Sequence, residues 1–309
     1  MNINILFCGA IMNTLVSKFL TISLLFCLSA LPVYAEYKGV SGKGLNFAVL
    51  DMKGQKATLK QWGPLHKYLE EKLGQKIKLT TIKNSGMVSC SKSFDLALTN
   101  PVNVVIFTDK GQHSPLVTLN HKKQGPQFAG VIIVHKDSPI TDIKQLAGKQ
   151  VAVVNMKRAA GGFLFQANEL VKVGLDPKKD FKRFTSIQNQ KGIVKRVLTK
   201  HVDAGFIRTG MIEDDLKDSG LNLSDLRVLN KQTEGLSFMR STDIYPHWGM
   251  VASTKLPADV RAKIKTALLG IDPNSAVAKA GKMKGFVDAK DHSGVEKAMR
   301  ILEVYKFKN

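Results

Sequence analysis

The chain alternates short apolar runs with segments of helical spacing from residue 45 onward. The run LNFAVL at 45–50 predicts a strand, and apolar residues three or four apart over 58–73 predict a helix that ends at Gly74. The same alternation continues toward the C-terminus, where 260–269 and 295–304 have helical spacing. Strands that alternate with helices in this way predict an α/β fold with largely parallel sheets.

The stretch 128–162 contains the clearest α/β unit. A strand at 131–134 is followed by a Ser-Pro turn, a short amphipathic helix at 143–146, a second strand at 151–154 and a loop that ends in two glycines. That loop opens a predicted helix, and unpaired N–H groups at a helix start favour an anion. Further strands are predicted at 76–81, 94–98, 116–119, 181–186, 202–207, 226–229 and 236–239, and further helices after Pro101, at 162–173 and 192–199, and after Gly210.

The first 35 residues have the pattern of an export signal. An apolar run at 19–31 follows Lys18, and the small residue Ala35 ends a cleavage site of the Val-Tyr-Ala type. We predict cleavage after Ala35, with translation starting at Met1 or Met12, and release into the periplasm. An uncleaved anchor is the alternative. No later segment approaches the roughly 20 apolar residues of a membrane span.

Composition restricts the partners that we expect. Lysine and arginine exceed the acidic residues by 46 to 25, but the charges are spread along the chain, which favours a solvated basic surface that suits anionic ligands. The sequence has no helix-turn-helix or aromatic RNA-binding signature, so we expect no nucleic acid as a partner. Cys90 is the lone cysteine after the signal, which excludes an intramolecular disulfide and favours a buried structural thiol.

Signatures of catalysis are missing from the sequence. It contains no Gly-x-Ser-x-Gly, His-Glu-x-x-His or Cys-x-x-Cys motif, and its seven histidines lack metal-ligand spacing. We therefore expect neither an enzyme nor a bound metal or cofactor. An enzyme on the same scaffold is the least favoured alternative.

Arg208 is the strongest single candidate for ligand binding. It follows the apolar stretch 204–207 and precedes a predicted helix, so we expect it at the inner end of a sheet. A partly buried arginine needs an anionic partner, which is either a carboxylate of the protein or a bound oxyanion.

Several motifs together resemble a known family. FDLALTNP (94–101), GGFLFQANEL (161–170), DAGFIRTG (203–210) and RSTDIYPHW (240–248), with the unit at 128–162, resemble type II periplasmic solute-binding proteins of the phosphate/phosphite/phosphonate-binding family. Within that family, the motifs are most similar to the periplasmic sensing domain of tetrathionate-sensor histidine kinases. The similarity covers nearly the whole chain after the signal.

The resemblance implies two lobes, each a mixed, mostly parallel sheet flanked by helices. One lobe would comprise 36–127 plus 242–309 and the other 128–241, with crossovers near Gln127–Phe128 and Arg240–Ser241. It also implies a monomer that captures a small anionic solute, of the phosphonate, phosphite or sulfur-oxyanion class, for the membrane permease of an ABC transporter. The alternative is a free-standing periplasmic sensor that acts in trans on a sensor histidine kinase or a chemoreceptor.

Three loops would face the cleft between such lobes, and each lies where a strand feeds a helix. Relatives carry Ser-Thr-Ser-Gly in the second loop, where this chain has Ala-Ala-Gly-Gly at 159–162, so the amides remain and the hydroxyls are lost. Relatives also often carry Gly-His-Tyr where this chain has Val-Asn-Val at 102–104. The ligand-binding residues that we predict are Trp62, Thr99, Asn100, Arg158, Ala160, Gly161, Gly162, Arg208, Thr209 and Tyr245.

Several of these predictions have a structural alternative. Thr99 and Asn100 have the position of a helix N-cap before Pro101. Trp62 lies on the apolar stripe of its predicted helix and suits the core, Arg158 could face water, and Tyr245 could pack in the hinge.

Overall fold

The structure is a computed structural model that describes residues 44–308. The predicted export signal and both possible start positions lie outside this range. Twelve strands are present in it: β1 (Leu45–Asp51), β2 (Ile77–Lys83), β3 (Leu96–Thr99), β4 (His113–His121), β5 (Gln127–His135), β6 (Gln150–Val153), β7 (Arg183–Ser186), β8 (Ala204–Arg208), β9 (Leu226–Leu229), β10 (Ile244–Pro246), β11 (Gly249–Ser253) and β12 (Met283–Asp288).

Helices lie between most of these strands. They are α1 (Gln55–Leu73), α2 (Asn84–Met87), α3 (Pro101–Asp109), α4 (Phe165–Lys172), α5 (Gln190–Leu198), α6 (Ala258–Leu269), α7 (Ala276–Gly281) and α8 (Ser293–Ile301). Helix α1 continues past Pro64 because Gly63 precedes the proline and has no Cβ to clash with its ring. It ends as predicted at Gly74, which has a φ of 67°.

The twelve strands form two six-stranded sheets. The first sheet has the order β12-β4-β11-β3-β1-β2, and the second has the order β10-β5-β8-β6-β7, with β9 also paired to β5. The chain leaves the first sheet between β4 and β5 and returns to it between β10 and β11. This return differs from the predicted crossover at Arg240–Ser241, because β10 still pairs with β5 of the second sheet.

Strand direction differs from the expectation of largely parallel sheets. In each sheet only two of the five pairings are parallel, namely β1 with β2 and β3, and β6 with β7 and β8. The antiparallel pairings involve β4, β5, β9, β10, β11 and β12. An apolar run indicates a buried strand but carries no information on which neighbour it pairs with. The sheets are therefore mixed, as the resemblance implied, but not mostly parallel.

The predicted strand at 236–239 and the predicted burial of Cys90 are both wrong. The run 236–239 is a loop held by an isolated bridge between Gln232 and Arg240, and its Phe238 packs beside Gly210 instead of joining a sheet. Cys90 is exposed, although a lone thiol favoured a buried one. The predicted helices at 143–146 and after Gly210 are a 3₁₀ turn and a single π turn at Met211–Asp215.

Candidate functional site

A cavity of about 160 Å³ lies between the two sheets, where residues from both meet. It is roughly ten times the space that one water needs, so a small solute fits. Apolar and aromatic side chains form part of its wall, and polar or charged side chains form the rest. The residues that line it are Leu50, Met52, Lys53, Thr58, Gln61, Trp62, Asn84, Asn100, Leu119, His121, Phe128, Ala159, Ala160, Gly161, Gln190, Arg208, Asp215, His247, Trp248, Gly281 and Lys282.

Arg208 lies in this cavity at the end of β8, but it is not free. Its Nη2 donates to Asp215, its Nη1 donates to the carbonyl of Thr209 at 2.7 Å, and its backbone N–H donates to Gln190 Oε1 at 2.8 Å. The sequence left open whether its anionic partner is a carboxylate or a ligand. The structure shows a carboxylate that itself lines the cavity.

Three cations surround Asp215. The Lys282 ammonium lies 3.4 Å from Asp215 Oδ1, and Lys53 is a further neighbour in the cavity wall. Burial alone would raise the pKa of Asp215, but Arg208, Lys53 and Lys282 together hold it below its ordinary value. The carboxylate therefore stays charged at neutral pH. Three positive charges against one negative charge leave the cavity electropositive.

Lys53, the third cation of the cavity wall, has a lowered pKa. The pKa of its ammonium lies below its ordinary value, first because the surrounding protein removes water from it and then because Arg208 and Lys282 repel it; Asp215 opposes the shift. An added anion would relieve this repulsion.

The loop before α4 closes one side of the cavity. The backbone of Gly161 approaches so closely that a Cβ there would lie 2.9 Å from Phe128 Cε2 and 3.0 Å from Arg208 Cβ. Across the cavity, the Nδ2 groups of Asn84 and Asn100 each donate to the carbonyl of Arg158 at 3.1 Å. These two hydrogen bonds join residues that follow strands of the first sheet to a loop of the second.

His121 and His247 form a stacked pair in the cavity wall. Their ring centroids are 5.6 Å apart and the rings are inclined by 8°. Burial, together with repulsion from Arg208, lowers the pKa of His121 to about 4. Burial also lowers the pKa of His247 well below its ordinary value. Both imidazoles are therefore neutral at pH 7.

This pair predicts a loss of stability in acid. A histidine pKa that is lower in the folded than in the unfolded state means that the unfolded chain binds more protons once the pH falls below about 6.5. We expect His121 alone to lower the free energy of unfolding by about 2 kcal/mol between pH 7 and pH 4.5. Denaturant unfolding at the two pH values measures this loss. The variant His121→Gln should lose less, and an equal loss would contradict the prediction.

Five of the predicted site residues line the cavity: Trp62, Asn100, Ala160, Gly161 and Arg208. Asn100 does so while also acting as the N-cap of α3, since its Oδ1 accepts from the N–H of Asn103 at 3.1 Å. Trp62 does so while also belonging to the core. Asn100 and Trp62 therefore have a structural role and line the cavity as well. Ligand contact by all five residues remains a prediction.

The other five predicted residues do not line the cavity. The Thr99 and Thr209 hydroxyls are buried against Asn103 and Gln124, at 2.9 and 2.6 Å. Gly162 packs beneath the loop, where a Cβ would lie 2.6 Å from a methyl group of Val154.

The structure turns Arg158 and Tyr245 away from the cavity. Arg158 presents only its backbone carbonyl to Asn84 and Asn100, and its half-buried guanidinium lies near Tyr305. Tyr245 stacks on Phe165 with centroids 3.9 Å apart, so packing was the better of its two interpretations. Among the cavity residues that sequence reasoning missed, the ionisable ones are Lys53, His121, Asp215, His247 and Lys282.

The described residues offer no metal site and no spanning helix. Within residues 44–308, no three His, Cys, Asp or Glu side chains are grouped closely enough to hold a metal ion. Over the same range, none of the helices combines the length and the apolar character needed to cross a bilayer.

Comparisons of the sequence identify relatives. A family model described as "ABC transporter, phosphonate, periplasmic substrate-binding protein" matches residues 47–293. The tetrathionate sensor histidine kinase TtrS of Salmonella typhimurium is 28% identical over 224 residues, which are 69% of this chain and 36% of the kinase. The phosphonates-binding periplasmic protein of Escherichia coli K12 is 25% identical over 229 residues, which are 71% of this chain and 66% of that protein. The match thus covers only part of each curated relative.

Solved structures share the fold. PhnD1 from Prochlorococcus marinus, solved in complex with methylphosphonate, superimposes with a TM-score of 0.69 at 18% identity, over 84% of this chain and 98% of that chain. XAC2383 from Xanthomonas citri, solved bound to ATP, has a TM-score of 0.67 at 17% identity, over 84% and 96%. Identities this low show a common fold and nothing about the ligand.

Proposed function

This chain belongs to the family of periplasmic substrate-binding proteins of phosphonate ABC transporters and has their two-lobed type II fold, and we propose that it captures a small oxyanion between its lobes. The solute is of the phosphonate, phosphite or sulfur-oxyanion class. In this proposal the protein is an exported monomer that delivers its ligand to a membrane permease. It binds and does not catalyse.

The observation that carries the proposal is the excess of positive charge in the cavity between the lobes. Lys53, Arg208 and Lys282 meet there around the single carboxylate of Asp215. A cavity with one dominant sign of charge and apolar walls concentrates ions of the opposite sign. An anion bound beside Lys53, Arg208 and Lys282 would reduce the repulsion among these three cations.

Contacts across the cavity support capture by closure. The bonds from Asn84 and Asn100 to the Arg158 carbonyl and the ion pair between Lys282 and Asp215 all link the two lobes. Opening at the crossover segments would break these bonds and admit a solute. The name of the Escherichia coli relative and the methylphosphonate in PhnD1 favour a phosphonate, whereas the lost hydroxyls at 159–161 favour a ligand held by amides and cations.

A thermal-shift and titration screen tests the proposal. We expect at least one of methylphosphonate, phosphite, phosphate, sulfate, thiosulfate and tetrathionate to raise the melting temperature, because a ligand at a hundred times its Kd adds about 2.7 kcal/mol of stability. Lys53→Met should weaken that anion's binding by roughly 3- to 10-fold. Lys67→Met is the matched control, because Lys67 is exposed on α1 away from the cavity. If no anion shifts the wild-type protein, the proposal is wrong.

A sensing role is the second candidate, and the similarity to the sensor kinase TtrS is the observation that favours it. In this role the closed, liganded form would contact a membrane sensor kinase or chemoreceptor instead of a permease. Pull-down with the liganded and the unliganded protein separates the two functions. Ligand-dependent capture of a kinase supports sensing, and capture of a permease supports transport.

A further inference from the structure

The two segments that connect the lobes each carry a histidine of the cavity wall. His121 is the last residue of β4, just before the chain passes to the second sheet, and His247 lies between β10 and β11, where the chain returns. Phe128 also packs against His247, with ring centroids 5.0 Å apart. Both imidazoles line the same cavity as Arg208. The hinge therefore forms part of the cavity itself.

The hydrogen bonds of these histidines fix which nitrogen holds the proton. His247 Nδ1 accepts from the N–H of Trp248 at 2.8 Å, and His121 Nδ1 accepts from the N–H groups of Lys123 and Gln124 at 3.3 Å. A neutral imidazole that accepts at Nδ1 carries its proton on Nε2. Each ring is thereby left with an Nε2–H donor for a further partner.

The charges around the pair keep it neutral. Arg208, Lys282, Asp214 and Asp215 face His121, and Arg208 and His121 face His247. Burial and the positive charge of Arg208 oppose protonation of both rings, as their low pKa values show. Neutral donors suit this place, because they add hydrogen bonds to an anion without adding repulsion to a cavity that already holds three cations.

We propose that His121 and His247 bind the oxyanion directly, each donating an Nε2–H hydrogen bond to one of its oxygens. This inference rests on the proposed capture of an oxyanion and adds two specificity-determining residues to that site. Because one histidine lies on each connecting segment, a ligand that bridges them also fixes the relative position of the segments. Binding and closure are coupled through the pair.

Two substitutions at position 247 separate binding from a structural role. Asn places an oxygen near the position of Nδ1, so His247→Asn keeps the acceptor for the Trp248 N–H and loses the Nε2 donor. Gln places an N–H group near the position of Nε2, so His247→Gln keeps a donor for the ligand and loses the Nδ1 acceptor. If His247 donates to the ligand, His247→Gln should bind the anion more tightly than His247→Asn. If His247 has only a structural role in the hinge, the order should be reversed.

Isothermal titration with the anion that binds best in the screen gives the test. We expect His247→Asn to weaken binding by roughly 10- to 100-fold and His247→Gln to stay within about threefold of wild type. His121→Asn and His121→Gln should follow the same order. His201→Gln is the control, because His201 is exposed outside the cavity. In ¹⁵N-histidine spectra, the Nε2–H signals of the wild-type pair should shift when the anion is added.

The outcomes distinguish this inference from the proposed function. If the wild-type protein binds no anion of the screen, the proposed function fails and this inference fails with it. If the wild type binds an anion but the Asn variants bind it equally well, the histidines do not donate to the ligand, and capture by the cations alone stands. Weaker binding by Gln than by Asn would show a structural role and would likewise overturn the inference.

Discussion

Replacing Arg208 with methionine is expected to weaken anion binding by roughly 10- to 100-fold, because a hydrogen bond to a charged group contributes about 1.5–3 kcal/mol. The backbone N–H of Arg208 donates to Gln190 at the end of β8, and its guanidinium donates to the Thr209 carbonyl. It is therefore positioned before a ligand arrives, and little ordering is needed on binding. Isothermal titration of both proteins with the anion found in the screen measures the loss.

The control for this variant is Arg196→Met, since Arg196 is exposed in the last turn of α5 and does not line the cavity. Equal losses from both substitutions would mean that net charge, not the position of Arg208, attracts the anion. Unchanged affinity in Arg208→Met would show that this arginine serves only its ion pair with Asp215.

Removing the charge of Asp215, the ion-pair partner of Arg208, is expected to have the opposite effect on anion binding. Asp215 is the one negative charge among three cations in the cavity, so it competes with a bound anion for the same partners. The variant Asp215→Asn keeps the shape and removes the charge, and we expect it to bind the anion about tenfold more tightly. Weaker binding would instead show that the carboxylate contacts a positively charged group of the ligand.

Much of the fold could be predicted from hydrophobic periodicity. The strand at 45–50 and the helix at 260–269 lie inside observed elements, because a buried face leaves a repeating apolar pattern. Strands β10, β11 and β12 were missed: β10 and β11 are short, and β12 lies between the two helices predicted in the C-terminal region. Strand direction depends on partners far away in the sequence, so periodicity could not reveal that most pairings are antiparallel.

The candidate site was predictable only where a local signal exists. Arg208 ends β8 and Asn100 follows β3, and such positions converge at one edge of a sheet; Gly161 lies in the connection from β6 to α4. Thr209 and Thr99 follow the same rule but turn into the protein, because alternate residues of an extended segment point to opposite faces. Near a strand end, the residue type suggests chemistry, but the side-chain direction decides whether it reaches the cavity.

The missed ionisable residues had no such signal. Lys282 follows α7 with a φ of 52°, a left-handed conformation that sequence gives no reason to expect of lysine. Lys53 was one lysine among many on a basic chain. His247 was within a recognised motif, RSTDIYPHW, yet its partner His121 lies on a different connecting segment. A pair formed by two distant segments becomes visible only when the chain is folded.

The loop at 159–162 shows why glycine is required where the loop packs on β5 and β8. A Cβ at Gly161 would come within 2.9 Å of Phe128 and 3.0 Å of Arg208 Cβ, and within 3.3 Å of the Ala129 carbonyl. None of these neighbours is the far end of a flexible side chain. The loop backbone must therefore move if any side chain is added, and Arg208 moves with it.

We expect Gly161→Ala to destabilise the protein by about 1–3 kcal/mol through overpacking and to weaken anion binding at the same time. Gly294→Ala is the matched control, because Gly294 lies in the first turn of α8 with no atom closer than 3.7 Å to the added Cβ. That variant should gain up to about 1 kcal/mol from its higher helix propensity. Denaturant unfolding and titration measure both effects. An unchanged Gly161→Ala protein would mean that the loop yields without strain, and the glycine would then have no role in placing Arg208.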